Sequence, residues 1–269
     1  MVVKHVVPTS RLTKLINPVY PPGPLVVRVQ DADWGGADHS NIRAVLVSAA
    51  NTIWRNFSGK RLEPIEVGRS HRSPITLFMR GPNGEYYVRL NTSSTFWAQY
   101  AYQFAHEFCH IVCRYRKGEN PNRWFEESLC ELASIYALRQ MARDWKTNPP
   151  YRNWRGFAVK LNDYADDVIK KGSRPASESL ATWYAQNKAS LRASAENREL
   201  NRVVAVQMLP LIEANPEHWN AVWHLNDEEH DASASLQTYL RNWHDNTPDR
   251  HKSFVKAIAE LFEVSIENE

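Results

Sequence analysis

Over the first ninety residues the apolar positions come in short β-like runs. Beyond them they recur at helical spacing almost to the end. Leu25 to Val29, Pro64 to Val67, Ile75 to Met79 and Tyr86 to Leu90 are rich in β-branched and aromatic residues and predict strands. Arg80-Gly-Pro-Asn-Gly84, between the last two, is a turn sequence that predicts a hairpin. Residues 39–57 interrupt this pattern. There Leu46, Val47, Ala50, Ile53, Trp54 and Phe57 share one helical face.

Residues 94–116 predict the best-defined helix, with Gly118 and Pro121 as its stop signals, and a second helix runs from about Asn122 to Asp144. Thr147-Asn-Pro-Pro150 then breaks the chain. Helical segments follow at 155–171, 176–195, 198–214, 217–225, 233–243 and 249–264. Tyr20-Pro-Pro-Gly-Pro24 closes an extended N-terminal arm. The expected organisation is an arm over 1–23, a mixed strand-and-helix domain over 24–147 and an all-helical domain over 148–269. The fold class is α+β.

The central helix carries Phe104-Ala-His-Glu-Phe-Cys-His110, an HExxH match. At about 100° per residue, His106 and His110 leave the same face one turn apart, so both imidazoles can reach one ion. Glu107 sits beside them, able to reach a water at that ion without coordinating it. Trp97, Phe104, Phe108, Ile111 and Tyr115 occupy the opposite face, while Gln99 and Gln103 share the histidine side. The helix thus has an apolar back to bury and a polar front for chemistry. The competing reading is a partly buried histidine beside a solvated helix charge.

Catalytic zinc takes a third protein ligand and keeps one position open. Trp124-Phe-Glu-Glu-Ser-Leu-Cys-Glu-Leu132 follows a short loop that turns the second helix back along the first. Glu127 and Glu131 lie four residues apart on one face, with Phe125, Leu129, Leu132 and Tyr136 on another. Glu127 is placed to complete the metal shell. Glu131 is placed to accept a hydrogen bond from the far nitrogen of a ligand histidine and so fix its tautomer. The bland alternative for all three glutamates, Glu126 included, is a solvated acidic face.

These segments resemble the gluzincins, zinc peptidases whose third ligand is a glutamate on a following helix. Trp124-Phe-Glu-Glu-Ser-Leu-Cys-Glu-Leu132 is similar to the W-L-N-E-G-F-A-E-Y of their aminopeptidase branch. The match aligns Glu127 with the ligand and Glu131 with the carboxylate behind it. Glu126 stands where that branch has Asn, which makes it the competing ligand candidate. The resemblance covers about residues 25–145 and implies a zincin-like domain: a small mixed sheet, a backing helix, the HExxH helix and the glutamate helix. It also implies one zinc ion and amide hydrolysis with Glu107 as general base. By the same likeness, Tyr86 to Asn91 is the sheet edge against which an extended peptide lies. No G-x-M-E-N segment for gripping a free amino terminus is present, and the residue that stabilises the oxyanion is open among Tyr136, Tyr164 and Tyr184.

Bulk properties narrow the alternatives. Net charge is +3, with no dense basic run, which argues against a nucleic-acid partner. No stretch approaches the roughly 20 apolar residues that span a bilayer, so no membrane partner is expected. The opening MVVKHVVPTSRL has an apolar run too short for a signal peptide, broken by Pro8, and reads as cytoplasmic. The ten Trp and eleven Tyr are spread along the chain, which suits a core more than one binding platform. Cys109, Cys113 and Cys130 fall in one region and read as reduced, buried thiols, with Cys113 near the histidine face and the other two flanking the site; the lesser alternative is a thiolate zinc ligand, or Cys113 as an inhibitory one. His218, His224 and His230 are spaced six apart and fall on different faces, not on a second metal site. The leading expectation is a zinc metallopeptidase acting on peptides or an unfolded protein segment. Its rivals are a regulatory protease dedicated to one partner protein and an inactive zincin-derived binding protein. The arm over 1–23 could lie across the cleft as an inhibitory segment.

Overall fold

The first two strands of the described residues form a parallel pair, and parallel pairing requires a crossover between them. In the structure, a computed structural model that describes residues 21–175, 177–229 and 231–266, strands β1 (Val27–Val29) and β2 (Ile65–Arg69) form that pair. Helix α1 (His39–Trp54) supplies the crossover. Its first turn is capped by Asp38, whose carboxylate accepts from the amides of Ser40 and Asn41. The expected N-terminal arm lies, up to residue 20, outside the described residues.

Strand β4 (Tyr86–Leu90) adds to β2 in parallel, and β3 (Ile75–Thr76) pairs antiparallel with β4, giving the order β1-β2-β4-β3. The hairpin turn forms where expected, with Gly81 N–H bonded to Glu85 O at 2.9 Å. The expected edge does not. β4 is hydrogen-bonded on both sides, so the edge strands are β1 and β3, and β3 is the one beside α2. The expectation failed because the second ladder neighbour, β2, comes from before the hairpin and leaves no local sign. Alternate residues Ile65, Val67, Val88 and Leu90 are fully buried, as one packed sheet face demands.

Helix α2 (Trp97–Val112) and helix α3 (Arg123–Asp144) pack against each other, and α1 packs on both. Behind Asp144 come α4 (Ala158–Gly172), α5 (Leu180–Ala193), α6 (Arg198–Ala214), the single turn α7 (Trp219–Val222), α8 (Leu236–Asn246) and α9 (Asp249–Leu261). The protein is therefore mixed α+β, with a small mixed sheet and, among the described residues, nine helices. None of these is long and apolar enough to cross a membrane.

Helices α4 and α6 lie directly on α3, so α3 is enclosed on every side. The buried side chains form one continuous cluster from Val27 to Ile266, with no break near residues 147 and 148. Tryptophans pin it together: Trp54, Trp124, Trp145, Trp219 and Trp243 are fully buried. Trp145 Nε1 donates to Ser48 Oγ and Trp243 Nε1 to Ala221 O, each at 2.7 Å, so these indoles satisfy their polar atom without leaving the core.

His251, in the first turn of α9, is buried and its Nε2 accepts from Arg250 Nε at 2.9 Å. Burial, and next the Arg250 charge, depress its pKa to about 4. The unfolded chain therefore binds a proton at this position between about pH 6.5 and pH 4 while the fold does not, so stability falls as pH drops through that window. His251→Gln should flatten that part of the curve, measured by urea unfolding of both proteins across pH 4–7. Parallel curves would show that His251 is not a source of the acid sensitivity.

Candidate metal centre

The turn from α2 into α3 builds the site. Helix α2 ends at Cys113, and Arg114 takes a left-handed conformation (φ 57°) that reverses the chain. Tyr115 is thereby returned over the helix end, with its ring centroid 6.4 Å from that of His110 and 5.3 Å from that of Phe78. Its hydroxyl donates to Leu77 O. Residues 123–131 then run back beside residues 102–110.

This geometry brings His106, His110 and Glu127 together. His106 Nε2 lies 3.2 Å from Glu127 Oε2, and His110 Nε2 lies 3.6 Å from Glu127 Oε1. The two imidazoles meet edge to face, 5.2 Å between centroids. Burial opposes charge on both histidines, but the carboxylates outweigh it. The hydrogen bond and charge of Glu127 with the charge of Glu107 raise His106, and Glu126 and Glu127 raise His110 to about 10. Burial also works against the Glu127 carboxylate, yet the two histidines hold its pKa down to about 2. The centre favours positive charge held between these groups.

Glu107 is kept apart from that contact. It is buried, and the Thr76 hydroxyl of the edge strand lies 2.9 Å from its Oε2 and 3.0 Å from its backbone carbonyl. Gln103 fixes the other end of the same helix face by a pair of bonds to the backbone of Asn91, 2.9 and 3.0 Å.

Glu126, the competing ligand candidate, takes the place behind a histidine that was expected of Glu131. Glu126 Oε1 lies 2.7 Å from His110 Nδ1, behind the imidazole, and its Oε2 accepts from Asn226 Nδ2 at 2.9 Å. The same Asn226 amide reaches Cys113 O at 2.9 Å, so the segment after α7 clamps the end of α2 and the start of α3. Glu131 has no contact with either histidine. It accepts from the Tyr102 hydroxyl and pairs with Arg202 Nε at 2.9 Å, one turn deeper in the core. The expectation that it orients a histidine fails because α3 rotates it toward α6. Nδ1 of His106 is buried and makes no hydrogen bond among the described residues.

The three thiols gather beneath the centre. Cys109 Sγ lies 3.8 Å from Cys113 Sγ, all three cysteines are free, and each is fully buried. Cys130, rather than Cys113, is the one nearest the histidines: donor atoms of His106, His110 and Cys130 all fall within 4.8 Å of one another. Burial, and next the contact with Cys109, push the Cys113 and Cys130 thiols well upward, while the same contacts draw Cys109 down.

In front of the centre opens a cavity of about 1080 Å³, walled by Ser73 to Thr76 of the edge strand, the α2–α3 turn and the start of α6. Tyr136, Tyr164 and Tyr184 do not face it. Tyr136 packs on Trp219, Tyr164 on Tyr102 and Tyr184 on Trp124. Arg116 and Arg123 line it without any sign in the spacing, and so does Tyr115, which was expected on the opposite face but follows the helix end and is turned back over His110. His224 pairs with Asp227 and His218 stacks on Phe254, well separated in role, while His230 lies outside the described residues. Comparison of the chain with family models, curated proteins and solved structures finds no match.

Arg202 neutralises a glutamate that is 1% exposed. Arg202→Met should lower the unfolding free energy by about 3–5 kcal/mol, because it strands a buried charge. Adding Glu131→Gln should recover much of the loss. A change below about 1 kcal/mol in the single variant, by urea denaturation, would contradict a structural role for the pair.

Proposed function

We propose that the chain is a zinc-dependent metallopeptidase of the gluzincin type, with a zincin-like catalytic half, and that His106, His110 and Glu127 hold one zinc ion. The observation that carries this reading is the convergence of both Nε2 atoms on the two oxygens of one carboxylate. Ligand atoms about 2.1 Å from a tetrahedral ion stand roughly 3.4 Å apart. The separations, 3.2 Å to one oxygen and 3.6 Å to the other, are close to that value, so the carboxylate stands across both imidazoles. Two imidazoles and a carboxylate are also the donor set of catalytic zinc in peptidases, with a fourth position for water or substrate. Bound there, zinc supplies Lewis acidity at a scissile carbonyl and brings the pKa of water toward about 7.

The chain's own groups have separable tasks. Glu107 faces the cavity with Oε2 steadied by Thr76. It takes the proton from the attacking water and delivers it to the leaving nitrogen. Glu126, itself held by Asn226, fixes the tautomer of His110 so that Nε2 points at the ion. The substrate is a peptide or an unfolded protein segment. Its backbone adds to the free edge of β3, where Ile75, Phe78 and Met79 offer exposed apolar side chains.

Glu107→Gln should retain stoichiometric zinc and lose turnover by about 10²–10⁴-fold, whereas His106→Ala should lose the metal as well. Metal analysis beside a peptide-library digest checks both, and an unimpaired Glu107→Gln protein removes the mechanism. Cys130→Ser should keep its zinc. Loss of zinc in that variant, with retention in Glu127→Gln, would place a thiolate in the ligand set instead. Glu126→Gln should weaken zinc by about 10–100-fold while the fold persists, measured by competition with a chelating dye.

A further inference from the structure

The cavity walls carry four arginines from three separate elements. Arg72 precedes β3, Arg116 and Arg123 flank the α2–α3 turn, and Arg198 opens α6. None of the four has a carboxylate within ion-pair distance among the described residues. Arg116 donates to Asp227 O and Arg123 to Gly118 O, while Arg72 and Arg198 make no side-chain hydrogen bond there. Arginines elsewhere that meet a carboxylate do so fully, as Arg139 and Arg143 do on Glu213. The acidic groups of the cavity are otherwise engaged. Glu126 and Glu127 are committed to the histidines and Glu107 to Thr76, which leaves Glu196, among the described residues, as the one lining carboxylate with no hydrogen-bond or ion-pair partner.

We propose that this cleft selects peptides carrying carboxylates close to the bond it holds, gripped by Arg123 with Arg72, Arg116 and Arg198 around it. The inference deepens the peptidase reading and rests on it for the position of the scissile bond. Guanidinium groups are matched in shape to carboxylates and lose little hydration on pairing with them. Arg123 is half-buried, opens α3 four residues before Glu127 and lines the same cavity as Glu107, so it sits beside the reacting centre. The other three are exposed and act as a field that draws acidic segments in. A polynucleotide is disfavoured, because its unbroken phosphate charge would have to pass Glu107, Glu127 and Glu196 within the same walls.

The test uses one peptide sequence in acidic, neutral amide and lysine versions, each with a free or amidated C-terminus and a fluorescent label. Binding is read by anisotropy on the zinc-loaded full chain carrying Glu107→Gln, and turnover on the parent. The acidic version should bind at least tenfold tighter than the neutral one at low ionic strength, with the advantage shrinking as salt is added. Arg123→Gln should cut that ratio by about tenfold and Arg72→Gln by about threefold, while Arg28→Gln, on β1, leaves it in place. If only free C-termini gain, the carboxylate being gripped is the terminal one. Equal affinity for acidic and neutral versions overturns the proposal, as does tighter binding of a single-stranded oligonucleotide. Preferential binding of acidic peptides that the parent never cuts would sink the peptidase reading and leave the acidic cleft standing.

Discussion

Three carboxylates and two imidazoles share a nearly dry space between two helices, and they can do so only if positive charge stays with them. Unpaired anions there would each forfeit several kcal/mol of hydration. The histidines answer that demand, which is why His110 is raised while Glu127 is lowered. Every neighbouring feature follows from keeping this group in register. The left-handed Arg114 turns the chain, Asn226 ties the two helix ends together, and Thr76 holds Glu107 out of the pairing. A divalent cation placed among these donors would satisfy the same demand more fully than a proton.

Helix α3 is the other half of that arrangement. An amphipathic helix solves burial by turning its polar side to water, but α3 has neighbours all round and cannot. Several of its buried polar side chains are instead paired one by one. Ser128 bonds to Trp124 O, Ser134 to Tyr102 O, Gln140 receives Arg55, and Glu131 receives Arg202. The polar groups of this helix therefore fix its rotation as well as its position. Rotation is what decides that Glu127 meets the histidines and Glu131 does not.

Much of the architecture is legible in the chain because its signals are local. Helix α1 at His39–Trp54, the paired helices, the hairpin and the breaks at Pro149-Pro150 all announce themselves over a few residues. The spacing of His106 and His110, and the placement of Glu127 one short loop away, also lie within local reach. What escapes is set by partners far along the sequence. Asn226 stands 100 positions from Glu126 and Arg202 stands 71 from Glu131, so periodicity in α3 cannot say which glutamate faces which neighbour. The central place of β4 is hidden for the same reason, since its second neighbour, β2, precedes the hairpin. Thr76 gives no local sign of its role either, because its partner Glu107 lies 31 positions along the chain.

The Asn226 amide spans a carboxylate of α3 and the last carbonyl of α2, although it belongs to the helical half of the chain. The two halves are thus one mechanical unit. A fragment ending near residue 147 would keep every metal-binding candidate yet bare the flanks of α3 to water and release Glu126 from its clamp. Genetic separation of the strand-bearing half from the helices behind it should yield an insoluble or slack remnant, and insertions that respect the site must fall in surface turns on either side of that joint instead.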